Sequence, residues 1–318
     1  MKLPEHRYLH RVPLIPLVPV CLGEGYPKVW CKLEYLNPSG STKDRIARHI
    51  LEKAWRSGKI QAGSTVIEAS SGSTSIALAL CCAQMGLKFI AYIPDTATNE
   101  RSLMIQAYGA EVRKVSGGMG EVIRTADEFA AESDAFLTKQ FENPDNAEAH
   151  ELWTAHEVMS QLPDVRVDAV VSGIGTGGSL VGMHTGFTKA GCDTLAVAAI
   201  PRCSEGEFTS NIECCSLRFS KNVPGVVDGC SKLYSDWKEE QFKKERLREI
   251  IVDDNKCMDL THELWRRGFP VGPSSGLNLG AAYEAAKDLP EDAVIVTVFP
   301  DRMERYFSHK VFDSLARP

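Results

Sequence analysis

The sequence predicts an α/β protein with two open, twisted, mostly parallel sheets flanked by helices. The first observation is that short apolar runs alternate with helical patterns along most of the 318 residues. A strand, helix, strand order is typical of parallel sheets joined by crossover helices. The second observation is that the alternation occurs in two series, and the second series begins at Ala169. The chain is therefore expected to form two α/β domains.

The elements of the two series follow in chain order. After an amphipathic helical pattern that begins at Lys43, strands are predicted near residues 66–67, 89–93, 112–115 and 135–138, with helices near 75–85, 99–108 and 121–132. After a long helix near 146–162, strands are predicted near 169–172, 195–200, 250–252 and 293–298, with helices near 179–189, 255–267 and up to 287. Residues 202–229 lack periodicity and are predicted to form a long loop, and such loops are usually site walls or lids.

Composition excludes several classes of protein. The chain is 43% hydrophobic and 25% charged with a net charge of -6, so it is not expected to bind nucleic acid or an anionic membrane, and a small-molecule partner is favoured. Its ten cysteines include no CxxC pair, and no Cys or His spacing predicts a metal site. The first 20 residues resemble neither a signal peptide nor a membrane span, and with reduced thiols this predicts a cytoplasmic protein.

Lys43 follows a Gly- and hydroxyl-rich run, Asn-Pro-Ser-Gly-Ser-Thr, and begins a helical pattern. The start of a helix carries a partial positive field that lowers the pKa of a nearby ammonium group and favours the neutral amine. A neutral amine can form a Schiff base with an aldehyde. On this segment alone, an ordinary capping turn followed by an exposed lysine is an equal alternative.

A second glycine-rich turn lies between a predicted strand and helix. Its residues Gly175, Gly177 and Gly178 let the backbone approach an anion closely, and Thr176 and Ser179 add hydroxyl donors. These features predict a phosphate cradle, the alternative being a tight turn without a ligand.

The same turn also matches the GxGxxG pattern of dinucleotide-binding proteins at Gly173, Gly175 and Gly178. That pattern requires a carboxylate at the end of the next strand, to bind the ribose hydroxyls. The strand instead ends at Ile200, Pro201 and Arg202. A nucleotide-dependent oxidoreductase is therefore disfavoured, although Arg202 is suited to a 2′-phosphate.

Two further hydroxyl-rich turns precede predicted helices, at residues 70–74 and 272–276. Each one alone is typical of a helix N-cap. Strand-end loops of an open parallel sheet converge on a ligand crevice, so a lysine, a phosphate cradle and a carboxylate cradle are expected to face one cleft. A phosphate-bearing aldehyde cofactor that acts on an amino acid needs all three.

Four ordered motifs, at residues 38–45, 140–144, 175–179 and 272–276, resemble those of the fold-type II pyridoxal-phosphate (PLP) enzymes, the family of cysteine synthase, cystathionine β-synthase and cysteine desulfhydrase. The resemblance covers nearly the whole chain. It implies the tryptophan synthase β-like fold, with PLP in an interdomain cleft, a smaller and mobile substrate-loop domain at 40–150, and a larger phosphate-binding domain at 1–39 plus 151–318. It also implies a homodimer.

The resemblance also implies roles for individual residues. Lys43 would form the internal aldimine and later act as the base at the substrate Cα, and Ser274 would face the pyridine nitrogen. Residues Gly175, Thr176, Gly177, Gly178 and Ser179 would hold the phosphate, and Ser70, Ser71, Gly72, Thr74 and Gln140 would receive the substrate carboxylate. Ser73 stands where cysteine synthases usually have an Asn that bonds the phenolic oxygen of the cofactor. The serine side chain is shorter than that of Asn and reaches less far toward this oxygen.

The motifs at residues 68–74 and 271–274 look more like those of cysteine desulfhydrases than those of cysteine synthases. The expected reaction is β-elimination on L-cysteine, which releases hydrogen sulfide through an aminoacrylate intermediate. Three alternatives remain open: cysteine synthesis from O-acetylserine and sulfide, replacement of the cysteine thiol by water or another thiol, and a catalytically weak ligand-sensing protein. Asp228 is a candidate acid or base, the alternative being a turn aspartate next to Gly229.

Overall fold

The computed structural model describes residues 3, 7–21, 23–203, 219–220, 222–227, 229–313 and 315. The chain divides into two compact units, the first comprising residues 1–13, 37–145 and 304–318 and the second comprising residues 14–36 and 146–303. The predicted division differs from this one, since it assigned both chain ends to the larger domain. The predicted domain mobility and the interdomain cofactor cleft stay predictions.

The first unit contains a parallel four-stranded sheet in the order β5-β4-β3-β6. Its strands are β3 (Thr65–Ala69), β4 (Lys88–Pro94), β5 (Glu111–Val115) and β6 (Phe136–Leu137). Its helices are α1 (Lys43–Arg56), α2 (Ser73–Met85), α3 (Asn99–Ala107) and α4 (Met119–Ala131). Because side chains alternate along a strand, Val66 belongs to the core formed with α1 and α2 while Ile67 belongs to the core formed with α4, and the sheet is covered on both faces.

The second unit contains a six-stranded sheet in the order β1-β2-β10-β7-β8-β9. Its strands are β1 (Leu17–Val20), β2 (Lys28–Lys32), β7 (Ala169–Gly173), β8 (Leu195–Arg202), β9 (Leu247–Asp253) and β10 (Val294–Val298). All neighbouring strands are parallel except β1, which runs antiparallel to β2.

The helices of the second unit cover both faces of this sheet. They are α5 (Asp145–Ala149), α6 (His156–Gln161), α7 (Gly178–Lys189), α8 (Lys232–Lys243), α9 (Asp254–Arg266) and α10 (Pro273–Ala286), with a π-helical turn at His150–Ala155 between α5 and α6. On β8, Val197 belongs to the core formed with α9 and α10, whereas Ala198 belongs to the core formed with α6 and α7. The central strands are therefore buried on both faces, as expected of a parallel sheet.

The predicted fold class is confirmed by these two mostly parallel sheets and their flanking helices. The sequence analysis missed β1, β2 and α8. The assignment of residues 272–276 to a turn before a helix was wrong beyond Gly272, because α10 already begins at Pro273. A proline fits the first position of a helix, where its missing N–H has no intrahelical partner to lose.

Most of the predicted long loop, including Asp228, lies outside the described residues. Within the described ranges, Arg202 at the end of β8 forms an isolated bridge with Phe219. None of the described helices is both long and apolar enough to cross a membrane. Most cysteines of the described ranges are buried.

Candidate active site

Lys43 is the first residue of α1 and is half-buried. The turn before it is closed by a hydrogen bond of 2.7 Å from the Gly40 N–H to the Asn37 carbonyl, and Gly40 has a φ of +83°. This left-handed conformation is one that glycine adopts without the penalty of a Cβ. The N–H of Lys43 donates to the Ser41 hydroxyl at 3.3 Å. The structure thus places Lys43 at a helix start, within the partial positive field of α1.

Asp44 holds this turn from inside. Its carboxylate is fully buried and accepts hydrogen bonds from the Ser39 N–H, at 2.9 Å, and from the Ser39 hydroxyl. A buried carboxylate is tolerated when its oxygens find donors of this kind. The two hydrogen bonds fix the backbone on the N-terminal side of Lys43, and this backbone sets the position from which the lysine side chain extends.

The predicted carboxylate loop connects β3 to α2 and is closed by hydrogen bonds of its own. The Ser70 hydroxyl accepts from the N–H groups of Gly72, at 3.1 Å, and Ser75, at 3.3 Å, and lies 2.6 Å from the Ser75 hydroxyl. Gly72 has a φ of +132°, and Ser73 is the first residue of α2. The N–H groups in the first turn of α2 have no acceptor inside the helix, which makes this end suited to a carboxylate.

Thr74 and Gln140 meet although they are far apart in sequence. The Thr74 hydroxyl donates to Gln140 Oε1 at 2.6 Å, and Gln140 Nε2 donates to the Ala69 carbonyl at 2.6 Å. Both side chains are buried. The structure therefore brings four of the predicted substrate residues, Ser70, Gly72, Thr74 and Gln140, to the carboxyl end of β3, with Ser71 in the same loop.

Glu68 is a site residue that the sequence analysis gave no role. It is fully buried in β3 and accepts hydrogen bonds from the N–H groups of Ala69, at 2.8 Å, and Gln140, at 3.0 Å, and from the Thr138 hydroxyl. Burial raises the pKa of Glu68 to about 7, against the lowering effect of these three hydrogen bonds. The carboxylate positions the backbone of Gln140. A charged residue within an otherwise apolar strand was the signal for it.

The predicted phosphate loop lies in the second unit, between β7 and α7. Gly177, the residue before α7, has a φ of +76°. The Thr176 hydroxyl accepts from Asn146 Nδ2 at 2.8 Å, and the Thr176 carbonyl accepts from the Ser231 hydroxyl at 2.6 Å. The loop is therefore held from two sides by side chains of distant segments.

The three glycines of this loop are also required by packing. A Cβ on Gly175 would lie 2.3 Å from the Gly225 carbonyl oxygen, and one on Gly178 would lie 1.9 Å from Asn146 Oδ1. A Cβ on Gly177 would lie 2.7 Å from the Cβ of Tyr234. The sequence analysis explained the glycines by the approach of an anion, and the structure adds close approach by the protein itself.

Ser179 is tied to the π-helical turn that precedes α6. Its hydroxyl lies 3.1 Å from His150 Nε2, and His150 Nδ1 lies 2.9 Å from the Thr154 hydroxyl. His150 and Asn146 are buried and were both missed as site residues. No local pattern marked them, because their partners lie 29 and 30 residues away.

Ser274 is the second residue of α10 and is buried. The same helix is joined to the strand ends through Asn278, whose Oδ1 accepts from the Gly173 N–H at 2.7 Å and whose Nδ2 donates to the Val298 carbonyl at 2.8 Å. Gly276 allows α10 to pack against α9, since a Cβ there would lie 2.1 Å from the Cys257 carbonyl oxygen. The start of α10 is thus fixed relative to the phosphate loop.

The donors of the phosphate loop fit a phosphate group. The first N–H groups of α7 have no acceptor inside the helix, and the hydroxyls of Thr176 and Ser179 lie beside them in sequence. Such an arrangement combines hydrogen-bond donors with the positive end of the helix dipole. A phosphate-bearing cofactor therefore suits this loop.

Comparison with known proteins decides the family. Residues 8–301 match the family model described as "Pyridoxal-phosphate dependent enzyme". The chain belongs to this family. Members use PLP as their cofactor, so the chain is a PLP-dependent enzyme.

Individual relatives of this PLP-dependent enzyme agree with the family. A cysteine synthase from Staphylococcus aureus (strain Mu50 / ATCC 700699) is 36% identical over 292 residues, which cover 89% of each chain. The crystal structure of an O-acetylserine dependent cystathionine beta-synthase from Helicobacter pylori is similar with a TM-score of 0.81, 28% identity and coverage of 95% of this chain and 96% of that one. That of a hydrogen sulfide-producing enzyme from Fusobacterium nucleatum has a TM-score of 0.80 and 30% identity, and the match covers 95% of this chain and 89% of that one.

Gly178→Ala is expected to weaken PLP binding by at least about tenfold, because the added Cβ forces Asn146 or the phosphate loop to move. The matched control is Gly120→Ala in α4, where a Cβ meets no heavy atom within 4 Å. Titration of each purified protein with PLP, followed by absorbance, measures the dissociation constant. Equal PLP affinity in the two variants would contradict this account of the loop.

Glu68→Gln is expected to change the pH dependence of stability. Because the pKa of Glu68 is raised to about 7 in the folded protein, the unfolded chain releases this proton at lower pH than the folded chain does. The contribution of Glu68 to the free energy of unfolding is therefore present below about pH 4.5 and falls by up to about 1.4 kcal/mol per pH unit as the pH rises to about 7. The Gln variant cannot titrate.

Urea unfolding of both proteins across pH 4.5 to 7 measures this effect. The quantity to follow is the free energy of unfolding of Glu68→Gln minus that of the wild type. The difference should rise through this window and level off above it. The control is Glu121→Gln, because Glu121 is exposed and the hydrogen bond from Arg124 lowers its pKa. A difference that is flat for Glu68→Gln would show that Glu68 is not held with a raised pKa.

Proposed function

We propose that this PLP-dependent enzyme cleaves the C–S bond of L-cysteine by β-elimination and releases hydrogen sulfide. The observation that carries the proposal is the carboxylate loop of residues 68–74, whose sequence resembles cysteine desulfhydrases and whose first helical turn offers N–H donors for an α-carboxylate beside the hydrogen-bonded pair of Thr74 and Gln140. The similarity to a hydrogen sulfide-producing enzyme supports the same reaction.

PLP, when bound, withdraws electrons from the substrate Cα and so acidifies its proton. The Lys43 amine would hold the cofactor and would serve as the general base that accepts the Cα proton. The donors at the start of α2, together with Thr74 and Gln140, hold the substrate carboxylate. The Ser274 hydroxyl, which would face the ring nitrogen of the cofactor, carries no negative charge, unlike a carboxylate, and this would favour rapid loss of the β-substituent.

The overall reaction balances with water as the second reactant. The Cα–H and Cβ–S bonds break, and the sulfur leaves with the bonding electron pair as sulfide. Hydrolysis of the remaining three-carbon unit consumes one water molecule and yields pyruvate and ammonia. The products from L-cysteine and water are therefore hydrogen sulfide, pyruvate and ammonia in equal amounts.

Incubation of the purified protein with PLP and L-cysteine tests the proposal. Equal amounts of sulfide and pyruvate are the expected products. Sulfide accompanied by serine would instead identify replacement of the thiol by water, and sulfide accompanied by a thioether when a thiol is added would identify replacement by that thiol. A complete lack of sulfide would overturn the proposal.

Synthesis of cysteine is the second candidate, and the 36% identity to a cysteine synthase is the observation that favours it. The same residues can serve it, since loss of acetate from O-acetylserine also requires a base at Cα. Sulfide then adds to Cβ in place of water. Faster formation of cysteine from O-acetylserine and sulfide than of sulfide from cysteine would select this candidate.

A homodimer and a cytoplasmic location belong to the same proposal. The family resemblance supports the dimer, and the free thiols of the described residues are compatible with a reducing compartment. Light scattering of the purified protein, and fractionation of the source cells, check the two points separately.

Lys43→Ala is expected to leave a folded protein whose turnover of L-cysteine falls by at least about 100-fold, because the general base and the covalent anchor are both lost. The matched control is Lys53→Ala, which removes another lysine of α1 that is exposed and forms an ion pair with Asp145. Initial rates of sulfide release measure both variants. Near-normal turnover in Lys43→Ala would rule out this lysine as the catalytic residue.

Thr74→Val is expected to raise the KM for L-cysteine by about tenfold with a smaller change in kcat, because it removes a donor and frees the Gln140 amide from its partner at 2.6 Å. Thr125→Val in α4 is the control, since the Thr125 hydroxyl donates to a backbone carbonyl of its own helix. Steady-state kinetics of the two variants test this. An unchanged KM in Thr74→Val would exclude Thr74 from substrate binding.

A further inference from the structure

The Glu-Arg-Tyr run at residues 304–306 follows the last strand and has no role in the site described above. Arg305 and Tyr306 lie in the 3-10 turn Met303–Tyr306 and are 1% and 0% exposed. Burial of a guanidinium group is costly unless its N–H donors are satisfied by acceptors. The groups that accept hydrogen bonds from Arg305 therefore identify the segment that this turn holds in place.

Arg305 binds the turn that precedes Lys43. Its Nη1 donates to the Gly40 carbonyl at 2.5 Å and its Nη2 donates to the Ser39 carbonyl at 2.7 Å. The planar guanidinium fork thus fixes two consecutive peptide planes. Asp44 holds the N–H and the hydroxyl of Ser39 in the same turn. The start of α1 is held between a buried cation and a buried anion, three residues before the lysine.

Tyr306, the next residue, contacts a second buried arginine. The guanidinium carbon of Arg101 lies 4.7 Å from the centroid of the Tyr306 ring, and this distance is within the range of a cation-π interaction. Arg101 belongs to α3, whose preceding residue Thr98 donates to the Arg305 carbonyl at 2.8 Å. The 3-10 turn is therefore bound to the beginning of α3 at two points.

Arg101 in turn supports the carboxylate loop. Its Nη1 donates to the Ser71 carbonyl at 2.8 Å. Its aliphatic stem lies directly under Gly72, where a Cβ would come within 2.4 Å of Arg101 Cδ. The loop that is expected to receive the substrate carboxylate thus rests on this arginine.

The side chain of His309 also lies beside Tyr306 and is uncharged at neutral pH. The ring of His309 lies 6.2 Å from that of Tyr306 with edge-to-face geometry. Burial, together with the nearby Arg101 and Lys310, lowers the pKa of His309 to about 4. At neutral pH this imidazole is uncharged, so it adds no further positive charge beside Arg101.

We propose that Arg305 and Arg101 are positioning residues linked through the 3-10 turn of Arg305 and Tyr306, with Arg305 orienting the Lys43 turn and Arg101 orienting the carboxylate loop. One C-terminal turn then sets the backbone of two parts of the first unit that carry predicted site residues. The expected effects on PLP binding and on the KM for L-cysteine rest on the proposed function. The expected effects on the backbone of the two segments do not.

The experiment compares Arg305→Lys with Arg101→Lys, which keep the positive charge but cannot form the planar fork. The control is Ser308→Ala, which removes an exposed hydrogen bond to Glu100 in the same C-terminal segment. Backbone amide hydrogen exchange should accelerate by about tenfold or more in residues 39–45 for Arg305→Lys. It should accelerate by the same factor in residues 70–75 for Arg101→Lys. A tenfold change corresponds to a loss of about 1.4 kcal/mol in the free energy of local opening.

Kinetics give the second readout. Arg305→Lys should weaken formation of the PLP Schiff base by about tenfold and leave the KM for L-cysteine within about twofold, whereas Arg101→Lys should do the reverse. A merely structural role would move both quantities together. Tyr306→Leu, which removes the ring against which Arg101 packs, should accelerate exchange in residues 70–75.

Equal changes in both segments for each arginine variant, or no change in either, would overturn the proposal. If the wild-type protein does not form a Schiff base with PLP, the proposed function fails while the hydrogen exchange comparison still decides the positioning roles. If the wild type reacts with L-cysteine and the exchange patterns of the variants match that of Ser308→Ala, only the positioning proposal fails.

Discussion

Helices that follow parallel strands begin at the carboxyl end of the sheet, and their first N–H groups have no acceptor within the helix. In the first unit this places the start of α2 directly after β3, and in the second unit it places the start of α7 directly after β7. Each start is a ready site for an anion. The assignment of a carboxylate loop to one sheet and a phosphate loop to the other depends on this single constraint of parallel topology.

Buried polar groups then turn these helix starts into defined sites. Asp44 holds the turn before Lys43, Glu68 holds the backbone of Gln140, and Asn146 holds the Thr176 hydroxyl. A buried donor or acceptor without a partner costs roughly 1–3 kcal/mol, so displacement of any of these loops carries a penalty. The loops are therefore fixed by hydrogen bonds within the protein, which is the condition for efficient positioning of reacting groups.

The local part of this arrangement could be predicted from the sequence. The alternation of strands and helices predicts the parallel sheets, and the hydroxyl- and glycine-rich turns predict the starts of α1, α2 and α7. The roles of Asn146 and His150 could not be predicted, because their partners are distant in sequence and a single chain carries no signal of such pairing. Glu68 did carry a signal, as a charged residue within an apolar strand, but its partners Thr138 and Gln140 lie 70 and 72 residues away. The edge strand β1 and its neighbour β2 were also missed, and in β1 the cause is that proline residues interrupt the apolar run.

Chemistry follows from which groups are charged and where they are held. Ser274 lies at the start of α10 as a neutral hydroxyl, and the nitrogen nucleophile assigned to the site is the half-buried Lys43. Lys32 offers a contrast, since it is fully buried and its ammonium lies 2.8 Å from the Glu157 carboxylate, where it is held as a structural cation. The proposed mechanism requires that Lys43, and not another lysine, binds PLP. Reduction of the PLP-loaded protein with borohydride, followed by peptide mass spectrometry, measures this directly: the account predicts a pyridoxyl group on Lys43, and a label on another lysine, or none, would contradict it.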